Sequence, residues 1–385
     1  MGFAHRTGII SSQSISPIGA DMSALFSSSK LRDLELANRI VVSPMCQYAS
    51  EDGRMNDWHL MHLGQFAIGA GGLIFTEATH VSPEGRISPK CAGLWNDAQE
   101  ADMKRVIDFC RQHGVAALGI QLAHAGRKAS THPPLDGGRP LQDSEGAWQT
   151  VAPSPHGFAP DWPESTALDR AGMDKVTSDF VEATKRSARI GFDTVELHIG
   201  HGYLLNQFFS PLSNLRDDAY GGTLENRMRF PLEVFEAVRA AWPQNKPLGV
   251  RISAFDWVDG GTSVDDTIAF SQALEKLGCD YIDITSGGVD HRQAIVAGPG
   301  YQVDFAAAVK KAISIPVMAV GMITEAEQAE AIIANGDADF VMLARGMMDD
   351  PHWAWHAAAA LGADTAYPAQ YRRCSPAFWK QDRKV

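Results

Sequence analysis

Alternation is the feature of this chain that most limits how it can fold. From residue 39 onward, short runs of β-branched or aliphatic residues take turns with longer amphipathic stretches. Strands joined through helices pair parallel to one another, so this rhythm predicts βα units. The strand runs are Ile40–Ser43, Leu73–Glu77, Ala117–Leu122, Thr194–His198, Leu248–Ile252, Tyr281–Thr285, Pro316–Ala319 and Phe340–Leu343. Helical periodicity covers Trp58–Ile68, Asp97–His113, Lys175–Ile190, Leu224–Ala241, Val264–Leu277, Val303–Ala312, Glu325–Ala334 and about His352–Leu361. Eight of each fit an α/β chain closed into a single (β/α)8 TIM barrel, although an open doubly wound sheet shares the same local alternation. Gly114, Gly191, Gly278 and Gly336 stand a residue or so past helix ends, where left-handed C-terminal stops are expected.

One such barrel routinely fills a chain of 385 residues. We assign it residues 22–361. The stretch Ala123–Gly172 is too long and too rich in Pro and Gly for a simple connection, and a lid over the barrel mouth is expected at about 123–172. Residues 362–385, with Pro368, Tyr371, Arg372, Arg373 and Trp379, continue past the last helix as a C-terminal arm. Residues 1–21 are Ser-rich, carry Arg6 as their only Lys or Arg, and lack a continuous apolar core. They read as a disordered N-terminal extension rather than a secretory signal.

Charge and cysteine usage exclude several roles. With 34 Lys+Arg against 46 Asp+Glu the net charge is −12, and no basic run offsets it. Nucleic acid and anionic membranes repel such a surface, so neither is an expected partner. Apolar runs such as Leu73–Phe75 and Pro316–Val320 fall far short of the roughly 20 residues a spanning helix needs. Cys46, Cys91, Cys110, Cys279 and Cys374 form no CxxC pair, which argues against an iron–sulfur cluster or zinc ribbon. Sparse cysteines suit a reducing, cytoplasmic compartment.

In a barrel, chemistry sits where strands end. The first strand runs into Pro44-Met45-Cys46-Gln47-Tyr48, the third carries Gln121 with His124, and the fifth holds Arg251. The fourth ends in His198-Ile199-Gly200-His201-Gly202-Tyr203. Residues i and i+3 point to opposite faces of a strand, so His198 and His201 can converge only if the strand ends between them, a turn the glycines permit. Together they offer two donors for a developing oxyanion and a phenol to donate a proton. The plainer reading makes one histidine a core residue and packs Tyr203 on the lid. A zinc reading lacks a carboxylate or third histidine at a familiar short spacing. Cys46 is either a small buried hydrophobe or a cofactor contact, and Arg251 either faces an anion or forms an ion pair inside the barrel. The last two strands lead into Gly321 and Ala344-Arg345, whose loops either close turns or hold a phosphate, the frequent use of this place in barrels.

At Pro44–Tyr48, His124-Ala125-Gly126-Arg127-Lys128, His198–Tyr203 and Asn214–Arg227 the sequence resembles the Old Yellow Enzyme family, nearly throughout from about Met22. Cys46 with Tyr48 is similar to the thermophilic-like, xenobiotic reductase-like branch of NADPH-dependent ene-reductases. The resemblance implies an FMN barrel in which NADPH reduces the flavin, leaves, and is followed by an enone or nitro compound that takes the hydride at its β carbon. It implies that His198 and His201 hold the substrate oxygen, that Tyr203 protonates the α carbon, and that Tyr48 lies on the substrate side. Cofactor contacts implied in the same way are Pro44, Met45, Cys46, Ala78, Gln121, Arg251, Gly321, Ala344 and Arg345. Gln370-Tyr371-Arg372-Arg373 fits the branch pattern in which an arginine reaches a neighbouring subunit's site, implying a homo-oligomer. The following Cys374-Ser375 departs from that pattern. No metal is implied. The competing readings are a flavin-binding redox sensor using Cys46 and a zinc-dependent barrel hydrolase.

Overall fold

The computed structural model describes residues 23–69 and 71–379; the expected N-terminal extension lies outside the described residues. Eight parallel strands close in sequence order into a barrel. They are β1 Ile40–Val42, β2 Leu73–His80, β3 Ala117–Ala123, β4 Thr194–Ile199, β5 Leu248–Ser253, β6 Tyr281–Thr285, β7 Val317–Val320 and β8 Phe340–Leu343. Around them lie α1 Asp57–Gly69, α2 Asp97–His113, α3 Arg170–Ile190, α4 Leu224–Ala241, α5 Val264–Lys276, α6 Val303–Ala312, α7 Ala326–Ala334 and α8 Trp353–Ala360. The closed barrel is therefore the outcome, not the open sheet. Among the described residues no helix is long and apolar enough to cross a membrane.

Alternation along each strand splits the apolar residues into two cores. Outward residues such as Val195, Leu197, Ile199, Val250 and Ile252 pack against the helices. Inward residues Val41, Leu73, Phe75, Tyr281, Met318, Phe340 and Met342 fill the tube. A hairpin, Ser29–Leu31 paired with Leu34–Leu36, closes the N-terminal end by adding Leu31 and Leu36 to the inner core. Arg32 at its tip anchors it, with Nε on Asp280 at 2.5 Å and Nη1 on the Gln244 carbonyl at 2.7 Å, both residues just ahead of or between strand starts. Toward the other end the inward positions turn polar: Gln121, Glu196, His198, Arg251 and Asp283 are all buried there. A tube plugged by leucines below and lined by polar groups above has one chemical end.

Sequence and structure differ at particular places. α3 begins at Arg170 rather than Lys175, because the Asp169 carboxylate caps it by accepting the Gly172 N–H at 2.8 Å. Gly191, Gly278 and Gly336 are left-handed as expected, but Gly114 is extended with φ −96°. Glycine is required at 114 for space instead, since a Cβ there would lie 2.7 Å from Ala67 Cβ. The hairpin and the short helices Leu204–Phe209 and Arg345–Asp349 had no sequence counterpart. Between β3 and α3 the chain makes three 3-10 turns and pairs Val151–Ala152 with Thr166–Ala167.

Inside the tube, a Cβ at Gly249 would come within 2.2 Å of the Tyr281 ring. Gly249→Ala should therefore cost about 1–3 kcal/mol by overpacking, read as a lower urea midpoint with an unchanged slope. A midpoint equal to the parent's would show that the inner core is loose at that layer.

Candidate active site

The strand C-termini and their loops gather the singled-out residues at one end of the barrel. The central feature is the turn after β4, which ends at Ile199. His201 adopts φ 55° and Gly202 φ 72°, reversing the chain so that His201 Nδ1 lies 3.2 Å from His198 Nε2. The convergence expected of these histidines is thus met. A left-handed histidine is uncommon and needs support. It comes from Ser253 Oγ, which accepts the His201 N–H at 2.8 Å, from Asn206 Oδ1, which accepts the Gly202 N–H at 2.7 Å, and from Lys128. Lys128 Nζ donates to the carbonyls of His201 and Gly288, each at 2.8 Å.

The hydrogen bonds assign the tautomers. Thr285 Oγ1 donates to Gln302 Oε1 at 3.3 Å and so accepts from His201 Nε2 at 3.0 Å. His201 Nδ1 then accepts from His198 Nε2, leaving His198 Nδ1 buried with no partner among the described residues. Burial, with the neighbouring imidazole and the charges of Arg251 and Lys128, holds His198 well below the usual histidine range. Burial followed by Arg251 and Lys128 does the same for His201. Both rings are neutral donors.

Tyr203 packs edge-on against His198, ring centroids 5.2 Å apart, and Lys128 Nζ stands 5.2 Å from the centre of its ring. Its hydroxyl forms no hydrogen bond with any described residue. Burial pushes the phenol well above its ordinary range, so it keeps its proton. Burial, then the charge of Arg127, pushes the Lys128 ammonium down to about 8.

Cys46 and Tyr48, in the loop after β1, pack with Tyr203 and Trp148 around Ile87, Cys91, Ala125 and Ala129. Trp148 and Ala129 belong to the long segment between β3 and α3, so that segment forms one wall of the cluster. Burial, and behind it the charge of Glu77, raises the Cys46 thiol well above its usual value. Burial likewise raises the Tyr48 phenol.

Deeper in the tube, Gln121 Nε2 donates to Glu196 Oε1 at 2.8 Å. Arg251 Nε stands 2.9 Å from Asp283 Oδ2, but not in hydrogen-bonding alignment. Arg251 is therefore ion-paired inside the barrel, and it still carries a buried donor with no acceptor among the described residues. Burial raises the carboxyls of both Glu196 and Asp283. At the last two loops, Gly321 takes φ 131°, with Gln302 lying against the face a Cβ would occupy. Ala344 precedes the short helix that Arg345 opens, and Arg345 is exposed. Arg373 is exposed on the turn Ala369–Cys374, away from the cluster, and pairs with no described residue. Among the described residues no group of three or more His, Cys, Asp or Glu is placed to hold a metal. Thr285, Lys128 and the Glu77–His59 pair were not assigned from sequence. Thr285 and Glu77 each close a predicted strand and Lys128 lies in the His124–Lys128 motif, whereas nothing local marks His59.

The buried Arg251 donor that has no acceptor among the described residues fits an anionic, phosphate-bearing ring system, and comparison with known proteins agrees. The model of the NADH:flavin oxidoreductase / NADH oxidase family matches residues 24–363, and the chain belongs to that family. It is an oxidoreductase of the Old Yellow Enzyme-like class, and FMN is its cofactor. The NADPH dehydrogenase of Geobacillus thermodenitrificans (strain NG80-2) is 42% identical over 351 residues, 91% of this chain and 98% of that protein. That of Listeria innocua serovar 6a (strain ATCC BAA-680 / CLIP 11262) is 41% identical over 361 residues, 93% of this chain and 100% of that protein. Morphinone reductase in complex with tetrahydroNAD is 27% identical with a TM-score of 0.72, over 89% of this chain and 92% of that one. A 2-naphthoyl-CoA reductase complex, 22% identical with a TM-score of 0.79, shares the fold over 89% of this chain, which spans only 52% of that protein's length.

Depressed imidazoles bind protons only after unfolding, so their contribution to stability is lost as the pH falls below the unfolded value of about 6.5. In protein labelled with 15N-histidine, the His198 and His201 rings should stay neutral from about pH 8 to pH 5. A titration step near pH 6.5 for either would contradict their burial as neutral donors.

Proposed function

We propose that this protein is an FMN-dependent ene-reductase, using NADPH to reduce activated C=C bonds of α,β-unsaturated carbonyl compounds and of nitro compounds. The turn His198–Tyr203 carries the reading, because it sets two neutral imidazoles beside a protonated phenol that has no hydrogen bond to any described residue. The chemistry that bound FMN would supply is hydride transfer from NADPH to the substrate's β carbon. The chain supplies the rest. As the β carbon is reduced, negative charge gathers on the carbonyl or nitro oxygen, and His198 and His201 meet it. His201 Nε2–H, now on Thr285, is the donor such an oxygen competes for. A donor aimed at developing charge contributes about 2.7–4 kcal/mol. Tyr203 then protonates the α carbon from the opposite side, giving anti addition, and the Lys128 ammonium over its ring steadies the phenolate left behind.

In this reading Pro44, Met45 and Ala78 would hold the flavin by backbone contact and Cys46 would touch it as a thiol. Gln121 would bond its pyrimidine edge, Arg251 would offset charge on the reduced ring, and Gly321, Ala344 and Arg345 would hold the phosphate. Tyr48 lies on the substrate side. The same reading keeps the division into a barrel over residues 22–361, whose residues 22 and 70 lie outside the described residues, and a lid at about 123–172. Exposed, and paired with no described residue, Arg373 suits an arm (362–385) that reaches the site of a second copy in a homo-oligomer. The five free thiols support a cytoplasmic setting. A redox sensor at Cys46 is disfavoured, since a reactive cysteine needs a lowered pKa and this one is raised.

The visible spectrum tests the cycle. Anaerobic NADPH should bleach the bound flavin, and 2-cyclohexenone should restore it. Tyr203→Phe should slow the enone step by about 10²–10⁴-fold and leave bleaching by NADPH within a few-fold of the parent. Equal loss in both steps would remove Tyr203 as the proton donor.

A further inference from the structure

Behind the Cys46–Tyr48 side of the site lies a buried acid–imidazole pair that the chemistry above does not use. Glu77 on β2 is 4% exposed and His59 on α1 is 1% exposed. Glu77 Oε1 is 3.1 Å from His59 Nε2, and Glu77 Oε2 accepts the backbone N–H of Gln47 at 3.3 Å. The backbone N–H of Asn56 donates to His59 Nδ1 at 3.1 Å. His59 Nδ1 is also 3.1 Å from Asn56 Oδ1, and Ser50 Oγ lies 3.3 Å from Nε2, so the ring bridges Glu77 to Asn56 in either tautomer.

Both ends of the loop between β1 and α1 are thereby tied to one carboxylate, at Gln47 directly and at Asn56 through His59. Further bonds stiffen the span. Gln47 donates through Nε2 to the Met45 carbonyl at 2.8 Å and accepts the Trp58 indole N–H at 3.1 Å. The Asn56 amide donates to the Ala49 carbonyl at 2.8 Å. Such bracing has a purpose, because Tyr48 sits at φ 51°, a conformation that a tyrosine keeps only when its surroundings impose it. A carboxyl taken so far from water is costly unless fully bonded, and an apolar pair of the same volume would fill the space at no such cost. The location is informative: Glu77 is bonded to the residue after Cys46, and its charge is second only to burial in acting on that sulfur.

We infer that Glu77, braced by His59, is a positioning residue of the active site, fixing the Pro44–Tyr48 loop and setting a negative charge behind Cys46. The inference rests on the ene-reductase reading for what the loop faces, and its main test does not need that reaction. Two variants separate charge from placement. Glu77→Gln keeps the length, removes the charge and turns one acceptor into a donor facing an N–H. Glu77→Asp keeps the charge and draws it back by one methylene.

The rate at which iodoacetamide labels the Cys46 peptide in the holoenzyme at one fixed pH, followed by mass spectrometry, reads the charge. Removing a nearby negative charge favours the thiolate, so the labelling rate should rise about tenfold in Glu77→Gln and stay at the parent value in Glu77→Asp. KM for 2-cyclohexenone reads the placement and should rise several-fold in both variants. A folded Glu77→Gln with the parent's labelling rate, or a lowered melting temperature with both readouts unchanged, overturns the inference. If Glu77→Gln does not fold, Glu77→Asp decides, and an unchanged KM overturns it. A parent enzyme that reduces no enone would sink the earlier reading while the labelling comparison still stands.

Discussion

Two stretches of main chain touch at the barrel mouth, and the cluster there depends on that contact. A Cβ on Gly202 would lie 2.1 Å from the Gly288 carbonyl oxygen, and one on Gly288 would lie 2.4 Å from the His201 Cα. Only two glycines let the loops after β4 and β6 come this close. Their approach carries His201 to Thr285 and back to His198, and lets a single ammonium, Lys128, bond a carbonyl from each loop. Because Lys128 comes from the segment after β3, three connections are locked by one charge. A desolvated lysine is costly, and here two carbonyls and the rings of Phe158 and Tyr203 take the place of water.

The same economy of contacts governs the polar tier below. Gln121, Glu196, Arg251 and Asp283 project inward from successive strands β3 to β6, where register places Gln121 beside Glu196 and Arg251 beside Asp283. Burial raises both carboxyls, and the guanidinium opposes the rise in each. The tier separates an apolar plug from a reactive surface, and charge is confined to the side where a cofactor can answer it.

The sequence disclosed the architecture well because each strand and helix announces itself through local periodicity. Seven of the eight predicted helices agree with the structure to within a residue or two at each end. α3 is the exception, because its start depends on a cap at Asp169 that the apolar rhythm does not register. The hairpin Ser29–Leu36 was missed for a different reason: its leucines have meaning only once the tube they plug exists. In the site, His198, His201 and Tyr203 were legible because they crowd one strand end among glycines. Thr285 and the Glu77–His59 pair were not, since their partners lie 84 and 18 residues away and no local spacing signals them. The extended backbone at Gly114 makes the same point, its requirement being room beside Ala67 rather than handedness.

The leucine hairpin has a consequence for traffic. Because Leu31 and Leu36 stop the tube at its base, nothing passes through the barrel along its axis to the strand C-termini. On the proposed cycle, molecules that react one after another would come to the strand ends from the same side, each excluding the next until it has gone. A large excess of either reactant would then hold back its successor, an inhibition that originates in the stopper rather than in any residue at the mouth.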